Sequence, residues 1–149
     1  MIDGVKVIPL KRVADDRGYL TEILRSDDEH FIQFGQVYVS YLRKGIIKAW
    51  HKHEHQTDYF YVACGTSKIG LYDDRENSPT RGEYQTVVLG DAGLEALLLI
   101  PPLVWHGQMS LSEATHLVNL PTRPYNPKNP DEIRAPIDAF ADVWSIQNR

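Results

Sequence analysis

A single cysteine, Cys64, stands among the 149 residues, so a disulfide within the chain is excluded and a reducing compartment is expected. Basic residues are not in excess either. Sixteen Lys and Arg against twenty Asp and Glu leave a formal net charge of -4, without the basic stripe that binding to nucleic acid would call for. No apolar run approaches the roughly 20 residues of a membrane-spanning helix, and the opening MIDGVKVIPLKRVADD carries no signal-peptide pattern. The expectation is a cytoplasmic protein with neither membrane nor nucleic acid as partner. Internal repeats and low-complexity tracts are absent, and almost no segment carries a helical period. With 42% hydrophobic residues, one domain over 1–149 is expected, burying about 70% of the surface its unfolded chain exposes.

What is present is a series of short β-type runs between turn clusters. Strands are predicted over residues 5–10 (an edge, because Pro9 removes a ladder donor), 19–24, 36–42, 58–63, 68–72, 84–89, 94–100 and 114–120. The run 94–100 is apolar throughout and is placed mid-core. Residues 26–35 are polar, with Phe31, Ile32 and Phe34 expected to pack underneath. The segment 73–82, DDRENSPTRG, reads as a loop. From Pro121 onward, Pro124, Pro127, Pro130 and Pro136 forbid regular structure, so the tail is expected to wrap the surface. This pattern specifies an all-β sandwich or barrel.

The most informative stretch runs from Gly45 to Gly65, GIIKAWHKHEHQTDYFYVACG, with His51, His53 and His55 inside five residues. Alternate residues of an extended segment share a face, so His51 and His53 point into one space and Trp50 and Lys52 out of it. A further histidine, His106, follows the strand-breaking Pro101-Pro102 pair. If the fold brings them together, His51, His53, Asp58 and His106 form three imidazoles and a carboxylate. That set suits a borderline divalent metal such as Zn, Fe, Mn or Ni. It equally suits metal-free chemistry, in which one histidine is a general base oriented by a carboxylate and the others hydrogen-bond a substrate.

The spacing Gly45, His51-x-His53, Asp58, Gly65 resembles the first sequence motif of the cupins, with Asp in place of the usual Glu. Pro101 with His106 five residues on resembles the second, with Leu103 where that motif prefers Gly. The resemblance implies a jelly-roll β-barrel in which the two motifs face each other. Further landmarks are Asp16-Arg17-Gly18 with Glu22, Phe34-x-Gln36, Lys48-x-x-His51, Asp74-Arg75 leading to Ser78-Pro79-Thr80-x-Gly82, Ile100-Pro101, His106-Gly107 and the Pro-rich tail. In these the chain resembles the dTDP-4-dehydrorhamnose 3,5-epimerases. The resemblance implies a homodimer that binds a nucleoside-diphosphate 4-keto-6-deoxy sugar, in surface-polysaccharide or deoxysugar biosynthesis. It implies epimerisation or isomerisation by removal of a proton next to the ketone, with no cofactor required. By position, His51 falls on the family's general base and His106 on its histidine beside the sugar. Asp138 is the implied carboxylate that orients the base. Arg17, Glu22 and Gln36 fall on sugar and phosphate contacts, and Lys48, Arg75 and Tyr38 join the implied substrate-binding set. The His-x-His pair also resembles the related sugar-nucleotide 3,4-ketoisomerases, which adds His53 to the catalytic candidates.

Two departures stand out. Asp58 replaces a lysine of the family, and the family's catalytic tyrosine falls on Val118 or Asn119. That second change keeps a non-catalytic sugar-nucleotide-binding cupin, or a metal cupin of another reaction class, as alternatives. Tyr38, Tyr41 and Tyr72 are the candidates to stand in for the missing one. Dimerisation is also expected on physical grounds, because a single barrel leaves no way to cover Tyr38, Tyr41, Tyr59, Tyr61 and Trp50 together.

Overall fold

The structure, a computed structural model, describes residues 1–146, and among these there is no helix. None therefore is long and apolar enough to cross a membrane. Twelve strands follow in order: β1 (Lys6–Pro9), β2 (Arg12–Asp15), β3 (Gly18–Thr21), β4 (Tyr38–Arg43), β5 (Ile47–Lys52), β6 (Asp58–Cys64), β7 (Thr66–Asp73), β8 (Tyr84–Gly90), β9 (Ala96–Ile100), β10 (Val104–Ser110), β11 (Ala114–Asn119) and β12 (Ile133–Arg134). Two five-stranded sheets, β1-β9-β6-β11-β4 and β12-β5-β10-β7-β8, face each other, and β2-β3 stands apart as a hairpin. The chain is all-β, with the jelly-roll arrangement of a cupin.

The period of two explains the packing. Phe60, Val62, Leu98 and Ile100 of β6 and β9 point between the sheets, where they meet Ile69, Leu71, Val87, Leu89 and Leu117. Their alternates Tyr59, Tyr61, Leu97 and Leu99 form a second cluster on the outer face, covered by Leu10, Ile23 and Leu24. β9 is thus apolar at every position because both of its faces are covered. Trp50 and Trp105 project outward from the other sheet and are covered by Trp144 and Phe140 of the tail. Tail and sheet approach closely at Gly70, where a Cβ would lie 2.6 Å from the Trp144 ring.

The structure corrects several expectations. Residues 104–110, not among the strands expected from sequence, form a full strand pairing β7 along its length, because the Pro101-Pro102 break is a tight turn. Arg12–Asp15 is a strand although fully exposed, because it needs only its hairpin mate. The tail contributes Ile133–Arg134 as an edge strand against β5. Ile32 and Phe34 are exposed rather than packed underneath. Of the five aromatic residues expected to need a dimer, Trp50, Tyr59 and Tyr61 are buried within the chain.

Candidate active site

Three elements bring the imidazoles together. His51 and His106 stand opposite each other on β5 and β10, with ring centroids 4.2 Å apart. A bulge in this ladder follows His106, where Gly107 crosses so close to Ala49 that a Cβ would lie 2.4 Å from the alanine Cβ. Asp58 opens β6 in the opposite sheet and is buried. His53 lies just past the end of β5. The four ligand atoms of His51, His53, Asp58 and His106 all lie within 4.8 Å of one another, whereas His55 is exposed and outside the group.

Hydrogen bonds settle which ring nitrogens face inward. A carbonyl can only accept, so His106 Nδ1 donates to Val104 O at 2.9 Å and His53 Nδ1 donates to Asp131 O. Both Nε2 atoms are thereby turned to a single oxygen, Asp58 Oδ2, each at 3.2 Å. Gln56 Nε2 donates to the other carboxylate oxygen at 2.7 Å. Asp131 also caps the intervening turn, accepting from the backbone N–H groups of Glu54, His55 and Gln56. Two lone pairs against a carboxylate repel, so the arrangement is satisfied only with positive charge among the three groups, as protons on Nε2 or a cation.

Electrostatics separate the histidines. Burial, reinforced by the neighbouring His106 and His53, holds the His51 pKa well below the ordinary imidazole value, so His51 is a neutral base. Burial works against a charged His53, but the hydrogen bond and charge of Asp58 outweigh it and raise its pKa. Burial likewise opposes an ionised Asp58, yet the hydrogen bonds to His106 and His53 hold its carboxyl well below the usual range.

The cluster borders two adjoining cavities. The smaller, about 440 Å³, has His51, Lys48, Gln108 and Arg134 on one wall and Tyr38, Ser40, Phe60 and Leu117 on the other. The larger, about 920 Å³, is lined by Gln36, His53, Arg123, Tyr125 and Asn129, and shares Tyr38, Glu132 and Arg134 with the first. Of the implied substrate-binding residues, Lys48, Tyr38 and Gln36 line these cavities.

Four other residues named from sequence do not. Asp138 borders an apolar groove with Ile47, Met109 and Phe140 on the outer side of β5. Since Trp50 points outward and His51 inward, the tail segment that covers Trp50 cannot reach the base. Arg17 caps the β2-β3 turn, paired with Asp15 at 2.5 Å, and Glu22 pairs with Arg25; neither borders either cavity of its own chain. Arg75 is consumed by the loop, donating to Asp73 at 2.8 Å and to Asp3 O at 2.7 Å. Conversely, Asp131, Glu132 and Arg134 escaped the sequence reading because the Ile133–Arg134 strand that carries them to β5 is hidden among prolines. Gln108 was missed with β10; the residue lines the smaller cavity, and its Oε1 is buried without a hydrogen-bond partner.

Comparison with known proteins is consistent with this geometry. The family model described as dTDP-4-dehydrorhamnose 3,5-epimerase matches residues 1–148. The chain belongs to that family. It is 42% identical over 140 residues to the probable low-salt glycan biosynthesis epimerase Agl13 of Haloferax volcanii, covering 92% of this chain and 89% of the relative. Among solved structures, the dTDP sugar isomerase of Desulfovibrio desulfuricans superposes with TM-score 0.87 at 34% identity, over 93% of this chain and 87% of that one. The sugar 3,4-ketoisomerase QdtA of Thermoanaerobacterium thermosaccharolyticum, solved with TDP, gives TM-score 0.74 at 28% identity over 91% and 90%. The protein is thus an enzyme of the sugar-nucleotide epimerase and isomerase family.

Proposed function

We propose that the enzyme acts on a nucleoside-diphosphate 4-keto-6-deoxy sugar, with His51 removing the proton on the carbon beside the ketone. The observation that carries this reading is the half-buried His51 imidazole on the wall of one cavity, beside a larger one that shares Tyr38, Glu132 and Arg134 with it. An α-proton of a ketone needs a base that is unprotonated near neutral pH, and His51 meets that need. Lys48 on the same wall supplies a cation for the developing enolate oxygen. Gln108 lines the same cavity, its amide N–H donating to Ser40 on the facing wall. The larger cavity suits the nucleoside diphosphate, with Arg123 and Arg134 toward the phosphates. Binding of TDP by the related QdtA structure supports this nucleotide class. The test is incubation with dTDP-4-keto-6-deoxyglucose in deuterated water. Deuterium entering at C3 or C5, and lost in His51→Asn, is expected; its absence across dTDP, GDP and CDP substrates would sink the reading.

A second reading rests on the two Nε2 atoms converging on Asp58 with both Nδ1 protons committed to carbonyls, the arrangement that commonly backs metal ligands. His53, Asp58 and His106, with His51 as a fourth donor, fit a borderline divalent cation such as Zn, Fe, Mn or Ni. Such a cation would supply Lewis-acid polarisation of a carbonyl. Metal analysis of the purified protein separates the readings: stoichiometric metal, lost in His53→Ala, supports the second, and none supports a protonated cluster.

We also infer a homodimer in the cytoplasm. β4 is a sheet edge, and Val39 and Tyr41 on it remain exposed, as do Val37 just before it and Tyr19 and Leu20 on the hairpin. Arg17 and Glu22 contact substrate only if a second copy carries its hairpin to this site. The lone Cys64 suits a reducing compartment. Light scattering at micromolar concentration is expected to give twice the 17.0 kDa chain mass; the monomer mass would contradict the dimer.

A further inference from the structure

Inverting a carbon requires a proton to leave one face and another to arrive on the opposite face, so a base on one wall needs a proton donor on the other. The smaller cavity is well suited to show which group that is, because its walls come from different sheets. His51 belongs to β5. The facing wall is Tyr38 and Ser40 of β4, Phe60 of β6 and Leu117 of β11. Of these four only Tyr38 carries a proton acidic enough to transfer near neutral pH.

The hydrogen bonding of Tyr38 runs in the opposite sense to that of the two buried phenols, Tyr59 and Tyr61. Tyr59 donates its hydroxyl proton to His30 O at 2.8 Å, and Tyr61 donates to Glu95 at 3.1 Å. Tyr38 Oη instead accepts, from Asn119 Nδ2 at 2.9 Å. The sense of that amide is set by its other end, where Asn119 Oδ1 accepts from Tyr59 N at 3.3 Å and the residue is fully buried. The phenol therefore has its oxygen anchored and its proton uncommitted at the cavity. Asn119 and Tyr38 are directly paired across the β11–β4 ladder.

We propose that Tyr38 is the proton donor on the face of the sugar opposite His51, with Asn119 as its positioning residue. This rests on the epimerase reading above. His51 takes the α-proton, and the C–H electron pair moves into the enolate. The enolate carbon then takes the hydroxyl proton of Tyr38 on the other face: the O–H bond breaks, a C–H bond forms and the ketone is restored. His51 is left as imidazolium and Tyr38 as phenolate, and proton exchange with water resets both. The Asn119 N–H stabilises the phenolate as it forms. Burial, the leading influence on this phenol, raises its pKa and keeps it protonated before the reaction.

The test follows dTDP-4-keto-6-deoxyglucose in deuterated water by NMR, reading deuterium entry and product configuration separately. Tyr38→Phe keeps the ring and is expected to melt within a few degrees of the wild type. Its epimer formation should fall about 10²- to 10⁴-fold, while deuterium still enters with the original configuration retained. Epimer formation within about tenfold of the wild type would overturn the proposal. Asn119→Asp preserves an acceptor toward Tyr59 N but turns the Tyr38 proton onto a carboxylate. It should shift the ratio of exchange to epimer in the same direction, whereas an equal fall in both would reduce Asn119 to a structural role and overturn its part. A wild type that exchanges no deuterium removes the epimerase reading and this inference together. Failure in Tyr38→Phe alone removes only the inference.

Discussion

Asp58 and His106 are the two most deeply buried members of the histidine cluster, with Oδ2 and Nε2 3.2 Å apart and 1% and 2% of their side chains exposed. A buried carboxylate held by two imidazoles is stable only as a set. Removing its charge leaves the positive partner uncompensated, which typically costs about 3 kcal/mol or more. Asp58→Asn is therefore expected to lower unfolding free energy by about 3 kcal/mol in denaturant titrations. A loss below about 1 kcal/mol, the range of exposed pairs, would mean that this cluster is not held by charge. The same preparations, assayed for bound metal, show whether that charge is a proton or a cation.

The Asp73 loop predicts a separate pH dependence. Its buried carboxylate accepts from Arg75 Nε and Nη2 at 2.8 Å, Ser78 Oγ at 2.6 Å and Thr80 Oγ1 at 2.7 Å. The Arg75 hydrogen bonds, aided by Ser78 and Thr80 against the opposing effect of burial, hold its pKa below the unfolded value of 3.8. A depressed carboxylate pKa stabilises the fold fully above that value, and the stabilisation is lost as pH falls below it. Asp73→Asn should cost about 2 kcal/mol at neutral pH, and the gap from the wild type should narrow as pH falls from about 5 to about 2. A gap constant with pH would show that Asp73 ionisation is not coupled to folding.

Leu103 turns β9 into β10 with φ 67, a left-handed conformation that L-residues other than glycine enter at a cost of about 1 kcal/mol. Its N–H donates to His53 O at 2.7 Å, which ties this turn to the histidine segment. Leu103→Gly should match or exceed the wild type in stability, and Leu103→Val, β-branched at the same φ, should fall at least about 1 kcal/mol below the glycine variant. Denaturant midpoints for the two variants decide it, and valine ranking above glycine would contradict the turn geometry.

Gly70 lets the tail dock. Its missing Cβ would lie 2.6 Å from the Trp144 ring and 2.9 Å from Val143 Cγ2. Gly70→Ala should destabilise by about 1–3 kcal/mol through overpacking and expose the tail to limited proteolysis before the sheets. Unchanged stability together with an unchanged cleavage pattern would show that the Trp50–Trp105–Trp144 cluster tolerates a shift.

The sequence by itself determined the all-β class and the place of β9 in the middle of the core, through alternation along strands and an unbroken apolar run. That the His51 segment faces His106 was implied by the resemblance to the cupin motifs, and the register of β5 on β10 is what brings the two rings together. Tertiary structure alone decided the rest of the site. Asp131, Glu132 and Arg134 reach it only because a two-residue strand in the proline tail pairs with β5, and pairing partners leave no trace in local pattern. Asp138 follows the outward face of that tail and misses the base. Arg75 lies in the loop as expected, but its hydrogen bonds go to Asp73, a buried acid whose depth the sequence does not express. Asn119 faces Tyr38 through the register of β11 on β4, and register is a property of two strands rather than one.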